Sequence, residues 1–109
     1  MNWIVEIGDE FEPELESFPE QVRTEILALA TLLQTLNDSR HANMKELRFS
    51  AADGEWRVAF AFDPVRKAIL LIAGDKSGVS EKRFYKELIR KADSRFDAHL
   101  SRLKKKKRK

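Results

Sequence analysis

The spacing of hydrophobic positions along the chain changes several times, and each change marks an element. Trp3, Val5 and Ile7 alternate with Ile4 and Glu6, the two-residue period of a short strand. Phe11, Leu15 and Phe18 then recur at helical spacing, with Asp9 placed as a cap and Pro13 in the first turn, where a missing N–H costs least. Ser17-Phe18-Pro19-Glu20 reads as a capping box that starts a second helix. Its apolar stripe is Val22, Ile26, Leu29, Leu33 and Leu36, and it ends at Asn37-Asp38. The two helices are expected to form a hairpin.

From Met44 the period returns to two. Leu47 and Phe49 alternate with Glu46 and Arg48, and residues 50–54 form a turn. Between Trp56 and Phe62, Trp56, Val58, Phe60 and Phe62 share one face, while Arg57, Ala59 and Ala61 share the other. Asp63-Pro64 turns the chain into the continuous apolar run Ala68 to Ala73, which suits a central strand. After the 74–80 loop, Phe84, Leu88, Ala92, Phe96, Leu100 and Leu103 define a last helix, with Ser80 as its N-cap. The predicted order is β-α-α-β-β-β-α. This is an α+β fold with a helical hairpin on one face of an antiparallel sheet and a C-terminal helix beside it.

The faces of the 56–62 strand differ in bulk. Its four large side chains need the helical hairpin as a core. Its other face, one arginine and two alanines, reads as an open, shallow floor with a cation at one end. If the 44–49 and 56–62 strands pair, Arg48 and Arg57 approach each other on that face. Two guanidiniums side by side repel unless an anion lies between them, which points to a phosphate site. The alternative is a cross-strand ion pair in which Glu46 or Glu55 neutralises them. Lys76, Lys82, Arg83 and Lys86 surround the start of the last helix, whose free N–H groups also favour an anion. Tyr85 in that first turn reads equally as a core residue with its hydroxyl at the rim or as a catalytic group. Asp75 can cap its own loop or pair with Lys76.

Charge sharpens the picture. Residues 1–22 carry seven acidic groups and no basic ones, whereas residues 76–109 carry fourteen Lys and Arg against four Asp and Glu. Removing the six cations of residues 104–109 would turn the formal net charge from +3 to −3. Such asymmetry suggests contact with a polyanion, the other reading being a solvated end that aids solubility. The expected organisation is therefore one domain over residues 1–103 followed by a basic tail, 104–109.

Other chemistries are poorly served. The 109 residues include no cysteine, which excludes a disulfide framework and a thiolate metal site. His41 and His99 are far apart and lack ligand spacing, so no metal or other cofactor is expected. No phosphate-binding glycine loop of the nucleotide-binding kinds is present. The N-terminus lacks the basic region of a signal peptide, and no apolar run approaches the roughly 20 residues of a membrane span. A cytoplasmic protein is expected.

Two blocks carry a family resemblance. One runs from Asp53-Gly54-Glu55-Trp56-Arg57 to Phe62, the other from Ile69 through Gly74-Asp75-Lys76-Ser77-Gly78. With Arg83-Phe84-Tyr85-Lys86, Ala92-Asp93, Arg95-Phe96-Asp97 and His99-Leu100, they resemble the phage-derived, HigB-like branch of the RelE/ParE toxin superfamily over residues 44–103. The Gly-x-Trp-Arg strand and the Gly-Asp-Lys-Ser-Gly loop are specific only in combination. The resemblance implies a RelE-like fold and a toxin of a type II toxin–antitoxin pair. Its cognate antitoxin would be of the helix-turn-helix, HigA-like kind.

RelE and HigB types cut mRNA in the ribosomal A site, whereas ParE types inhibit DNA gyrase without being nucleases. The resemblance further implies a cleft beside the last helix, with Arg57, Lys76 and Tyr85 as catalytic residues. Arg48, Lys82, Arg83 and Lys86 would hold RNA. The chain departs from RelE in carrying Glu46 and Arg48 where RelE has lysines, which leaves the general base unassigned. The trio of Arg57, Lys76 and Tyr85 favours the endoribonuclease over the gyrase inhibitor, and a phage regulator that merely binds RNA is the third reading.

Overall fold

The computed structural model describes residues 4–33 and 44–107. Trp3, Leu36, the 37–38 helix end and His41 lie outside the described residues, as do the side chain of Leu33 and residues 108–109. The elements follow the expected order: β1 (Ile4–Ile7), α1 (Glu12–Ser17), α2 (Glu20–Leu33), β2 (Lys45–Ala51), β3 (Gly54–Phe62), β4 (Lys67–Asp75) and α3 (Glu81–Lys107). The four strands form one sheet in the order β1-β4-β3-β2. β2, β3 and β4 make the antiparallel meander, and β1 adds to the far edge parallel to β4, so the sheet is mixed.

Alternation along β3 divides the interior into two layers. Val58, Phe60 and Phe62 pack with Phe11, Leu15, Val22 and Ile26 of the α1–α2 side. Ala59 and Ala61, with Ile69, Leu71 and Ile72 of β4, pack against Leu88 and Ala92 of α3. The face read from the sequence as an open floor is therefore covered. The two alanines are small because α3 lies across them, and both are fully buried. A register shift between β3 and β4 sets Ala59 against Ile72 but Phe60 against Leu70, which leaves Leu71 as the extra residue. That shift turns both Leu71 and Ile72 toward α3.

Local chemistry ends the strands. The β2–β3 hairpin turns through Ala52 and Asp53, both with positive φ (50° and 62°), as a two-residue turn of the type matching strand twist requires. At the β3–β4 turn, Asp63 Oδ1 accepts the N–H groups of Val65 and Lys67. Its Oδ2 meets His99 Nε2 at 2.8 Å. His99 thus ties α3 to a turn.

Three predicted caps resolve differently. Phe11 occupies the α1 N-cap without a side-chain bond, and Gly8 O receives the N–H groups of Phe11 and Glu12. Asp9 does not cap; its carboxylate faces Arg102 at 3.3 Å. Ser17 bonds back to Glu14 O instead of capping α2, in which the Val22 and Arg23 N–H groups go to Pro19 O. Ser80 does cap α3, its Oγ accepting from Arg83 N at 3.3 Å.

α3 runs unbroken through Lys107, so Lys104 to Lys107 form its last turn. Cations there complement the helix dipole. The acidic N-terminal segment is the counterpart of this basic helix. Arg95 grips both Glu14 oxygens at 2.7 and 2.8 Å and also donates to Leu71 O, while Arg102 reaches Glu10 and Asp9. Hydrogen bonds from these arginines hold the Glu14 and Glu10 carboxyls below their ordinary range, against the opposing effect of burial. Part of the charge excess read from the sequence is therefore neutralised within the fold. Among the described residues, no helix is long and apolar enough to cross a membrane.

Candidate active site

The β2–β3 register sets Arg48 directly opposite Arg57, as the alternation of both strands predicts. On its other side Arg57 is paired with Gly74 of β4. That glycine has a steric role: a Cβ there would lie 3.1 Å from the Phe84 ring. Its absence lets the first turns of α3 close over the sheet. Phe84 then meets Tyr85 edge-on, with ring centroids 5.6 Å apart, and the Tyr85 hydroxyl is delivered over Arg57.

A short relay results. Arg57 Nε donates to Tyr85 Oη at 2.8 Å, and Tyr85 Oη donates to Glu46 Oε1 at 3.3 Å. The same oxygen receives Arg48 Nε at 2.9 Å and Arg48 Nη2 at 2.8 Å. Arg57 Nη1 is satisfied by the carbonyl of Trp56 at 2.9 Å. Arg57 is only 6% exposed, so it lies beneath α3 and not on an open surface as read from the sequence. The Arg48 side chain, at 63% exposure, forms the solvent edge, and Glu46 at 24% lies between them. The Glu46 hydrogen bond, supplemented by Tyr85, holds the Arg48 guanidinium firmly in its charged form.

Both sequence readings of the arginine pair are thus partly realised. The two cations are adjacent, and an anion does lie between them, but it is the carboxylate of Glu46. The sequence offered Glu46 or Glu55 as the neutralising partner; it is Glu46, paired with Arg48 along the same strand and bonded to Tyr85, not directly across to Arg57. The i,i+2 spacing of Glu46 from Arg48 on one strand was the signal available.

Lys76 does not join this relay. Its Nζ lies 3.8 Å from Glu81 Oε1 at the start of α3. Its position is fixed by a clamp on the loop. Asp75 Oδ1 accepts the N–H groups of Glu55 and Ser77, Ser77 Oγ also accepts from Glu55 N, and Lys76 N donates to Glu55 O at 2.8 Å. Burial works against the Asp75 charge, yet the hydrogen bonds from Ser77 and the Glu55 N–H outweigh it and lower its pKa. Of the two readings of Asp75, the structure gives the cap.

Gly54 completes this clamp: a Cβ there would lie 2.6 Å from Asp75 Oδ2 and 2.9 Å from Trp56 Nε1. The Gly-x-Trp-Arg and Gly-Asp-Lys-Ser-Gly blocks are therefore two halves of one packed unit. Lys82, Arg83 and Lys86 are exposed around the first turns of α3 and form no side-chain ion pair with a described residue. A concavity of about 580 Å³ lies elsewhere, between β1 and the end of α3. Its lining is of mixed charge, with Glu6 and Asp9 beside Lys67 and Arg102.

Comparison with known proteins gives this geometry a context. A model of the family described as phage-derived protein Gp49-like matches residues 13–97. A Mycobacterium tuberculosis protein named as toxin HigB2 is 49% identical over 71 residues, covering 64% of this chain and 35% of its own. A second protein of that organism, named as toxin HigB3, is 47% identical over 70 residues, covering 64% of this chain and 59% of its own. The chain therefore spans about a third of one relative and three-fifths of the other. Among solved structures, a double arginine-to-alanine variant of the E. coli toxin RelE in its free state superposes with a TM-score of 0.63. The match covers 87% of this chain and 98% of that one at 11% identity, which establishes a RelE-like fold.

Proposed function

The chain belongs to the phage-derived Gp49-like family, and from that premise we propose that it is the toxin of a type II toxin–antitoxin pair, an endoribonuclease that cleaves mRNA on the ribosome. The observation that carries the reading is the junction of Arg57, Tyr85 and Arg48, three groups suited to a phosphodiester, gathered from three elements at one edge of the sheet. The names of the mycobacterial relatives and the RelE-like fold support the same class. Its setting is the cytoplasm, and its partners are mRNA, the ribosome and a helix-turn-helix, HigA-like antitoxin.

Cleaving RNA without a metal requires three things of these residues. A ribose 2′-OH gives up its proton and its oxygen attacks the adjacent phosphorus. The P–O5′ bond breaks, leaving a 2′,3′-cyclic phosphate, and the departing 5′-oxygen takes up a proton. Arg57, rigidly held beneath α3, stabilises the charge that builds on the phosphoryl oxygens. Tyr85, hydrogen-bonded to a guanidinium, is placed to orient the reacting groups and move a proton at its phenolic oxygen. Lys76 supplies a second cation or a proton, and Arg48, Lys82, Arg83 and Lys86 hold the backbone. No strongly basic group is built into the cluster, which suits an enzyme whose substrate is positioned by the ribosome.

The test is primer-extension mapping of cuts in mRNA on purified ribosomes given the chain or its Arg57→Lys variant. Cuts by the parent and their loss in the variant bear the reading out. Intact mRNA accompanied by inhibition of DNA gyrase overturns it in favour of the ParE-like reading.

A further inference from the structure

We propose that the Glu46 carboxylate is a built-in stand-in for the substrate phosphate, an internal anion that occupies the Arg48–Tyr85–Arg57 site until a phosphodiester displaces it. The inference rests on the functional reading above in taking the displacing ligand to be a nucleic-acid phosphate.

Three observations carry it. First, Arg48 and Arg57 are forced together by strand register, and side chains opposite each other across an antiparallel pair are close neighbours. Like charges in that position need an anion between them. Second, Glu46 Oε1 collects three donors: Arg48 Nε at 2.9 Å, Arg48 Nη2 at 2.8 Å and Tyr85 Oη at 3.3 Å. A phosphoryl oxygen would seek that set of donors, two guanidinium nitrogens and a hydroxyl, for the same charge-assisted bonds. Third, the surrounding charge is cationic. Lys76 faces Glu81, whose charge is felt at Arg48, and the exposed Lys82, Arg83 and Lys86 ring the start of α3. An incoming phosphate is drawn to the rim and meets a carboxylate at its centre.

The two parts of the site differ in how easily they can be vacated. Arg57 is locked, with Nε on Tyr85 and Nη1 on the Trp56 carbonyl, and it is buried. Arg48 and Glu46 are joined at the surface, where an ion pair is held weakly and exchanges readily. Glu46 is therefore the movable member. Free RNA competes with it poorly, whereas a phosphate held in place by the ribosome competes at high effective concentration. The consequence is low affinity for loose RNA and full use of the same cations once a substrate is docked.

The experiment is a side-chain NMR titration that follows the Arg Nε–H resonances of the full chain. The probes are inorganic phosphate and a DNA hexamer, which lacks the 2′-OH and is not turned over. Glu46→Gln keeps the size and one acceptor oxygen but removes the charge. It is expected to bind both probes about tenfold more tightly than the parent at neutral pH. Glu6→Gln, which loosens the Lys67 pair on β1 at the opposite edge of the sheet, is expected to bind as the parent does. Binding by Glu46→Gln equal to or weaker than the parent's overturns the inference.

Should Glu46→Gln fold poorly, the parent alone decides the matter. Saturating phosphate is expected to move Arg48 Nε–H away from its carboxylate-bonded position, and an unchanged resonance overturns the inference. Cleavage is read separately on ribosomes. Tighter probe binding with no cleavage by the parent defeats the ribonuclease reading and leaves this one standing. Loss of cleavage in Glu46→Gln without any gain in binding assigns Glu46 to proton transfer and defeats this one.

Discussion

Arg57 and Tyr85 are 28 residues apart in the chain, yet Arg57 Nε donates to Tyr85 Oη over 2.8 Å. That bond joins the central strand β3 to the start of α3, so it links the proposed chemistry to the packing of the helix. Tyr85→Phe keeps the ring and its edge-on contact with Phe84 but leaves Arg57 Nε without its partner in a largely buried place. The expected result is a stability loss of about 1–3 kcal/mol, read as a shifted urea midpoint at unchanged m-value. Cleavage of ribosome-bound mRNA is expected to fall by about 100-fold, in the range of a lost proton-transfer group. Cleavage at the parent rate would remove Tyr85 from the chemistry.

Arg57→Lys separates charge from geometry. The lysine keeps a cation but loses the planar fork, and with it the simultaneous bonds to Tyr85 and the Trp56 carbonyl. Cleavage is expected to drop by about 100-fold or more while ribosome binding changes little, because a residue 6% exposed contributes little to encounter. Equal losses in binding and cleavage would show that Arg57 holds the complex together and does not act on the reacting phosphate.

Gly54→Ala tests the loop that holds Lys76. The new methyl would lie 2.6 Å from Asp75 Oδ2, and that carboxylate cannot retreat because Glu55 N and Ser77 N are bonded to its other oxygen. Overpacking of this kind costs about 1–3 kcal/mol. A lowered melting temperature is expected, together with altered amide shifts of Lys76 and Ser77. A variant as stable as the parent with unmoved loop resonances would show that the clamp is loose.

These cases show which parts of the site could be read from sequence. The opposition of Arg48 and Arg57 follows from period-two alternation and a short hairpin, both local features, and it was legible. Tyr85 at the helix start was legible for the same reason. The cover over Ala59 and Ala61 was not. Two alanines describe an open floor and a helix-packing surface equally well, and the choice depends on where a helix from residue 81 onward folds back. Gly74, opposite Arg57 and under Phe84, was the sign that something approaches closely there. Pairs such as Glu14–Arg95 and Glu10–Arg102 span 81 and 92 residues, and no local pattern matches one acid to one base over that distance. Hence the acidic start and basic end read as separate tendencies, although they are partly two sides of one contact.

That contact has a pH signature. Hydrogen bonds from Arg95 and Arg102 lower the pKa values of Glu14 and Glu10 in the folded state. A depressed folded pKa contributes stability that is fully present above the ordinary carboxyl value of 4.5 and is lost as pH falls through the lowered one. Stability is thus expected to be flat from neutrality to about pH 5 and to decline below it. Glu14→Gln is expected to be less stable than the parent at pH 7 and to approach it at acid pH. A constant difference between the two from pH 7 down to pH 3 would show that the pair contributes through packing and not through charge.

The end of α3 separates attraction from catalysis. Lys104, Lys105 and Lys106 are exposed, and the helix extends to Lys107, so these cations are carried on a rigid element and not on a loose tail. A helix from the cleft-side Arg83 to Lys104 spans about 31 Å at 1.5 Å per residue, too far for the lysines to touch a phosphate that is held at Arg57. Deleting residues 104–109 should therefore leave the reacting groups unchanged and act on association alone. The last apolar position of the predicted stripe, Leu103, is retained, and the Arg102 contacts to Glu10 and Asp9 lie on the kept side of the cut. Only fraying of the new helix end is expected, with a melting temperature close to the parent's. Ribosome affinity should weaken at low salt, and the slope of log affinity against log salt should flatten in proportion to the phosphate contacts removed, at most about six. Cleavage at saturating deletion variant should match the parent. The measurement is ribosome binding and mRNA cleavage for both proteins across a salt series. An unchanged slope would show that these cations only solvate the end of the chain, and reduced cleavage at saturation would show that α3 transmits strain from its last turn to Tyr85.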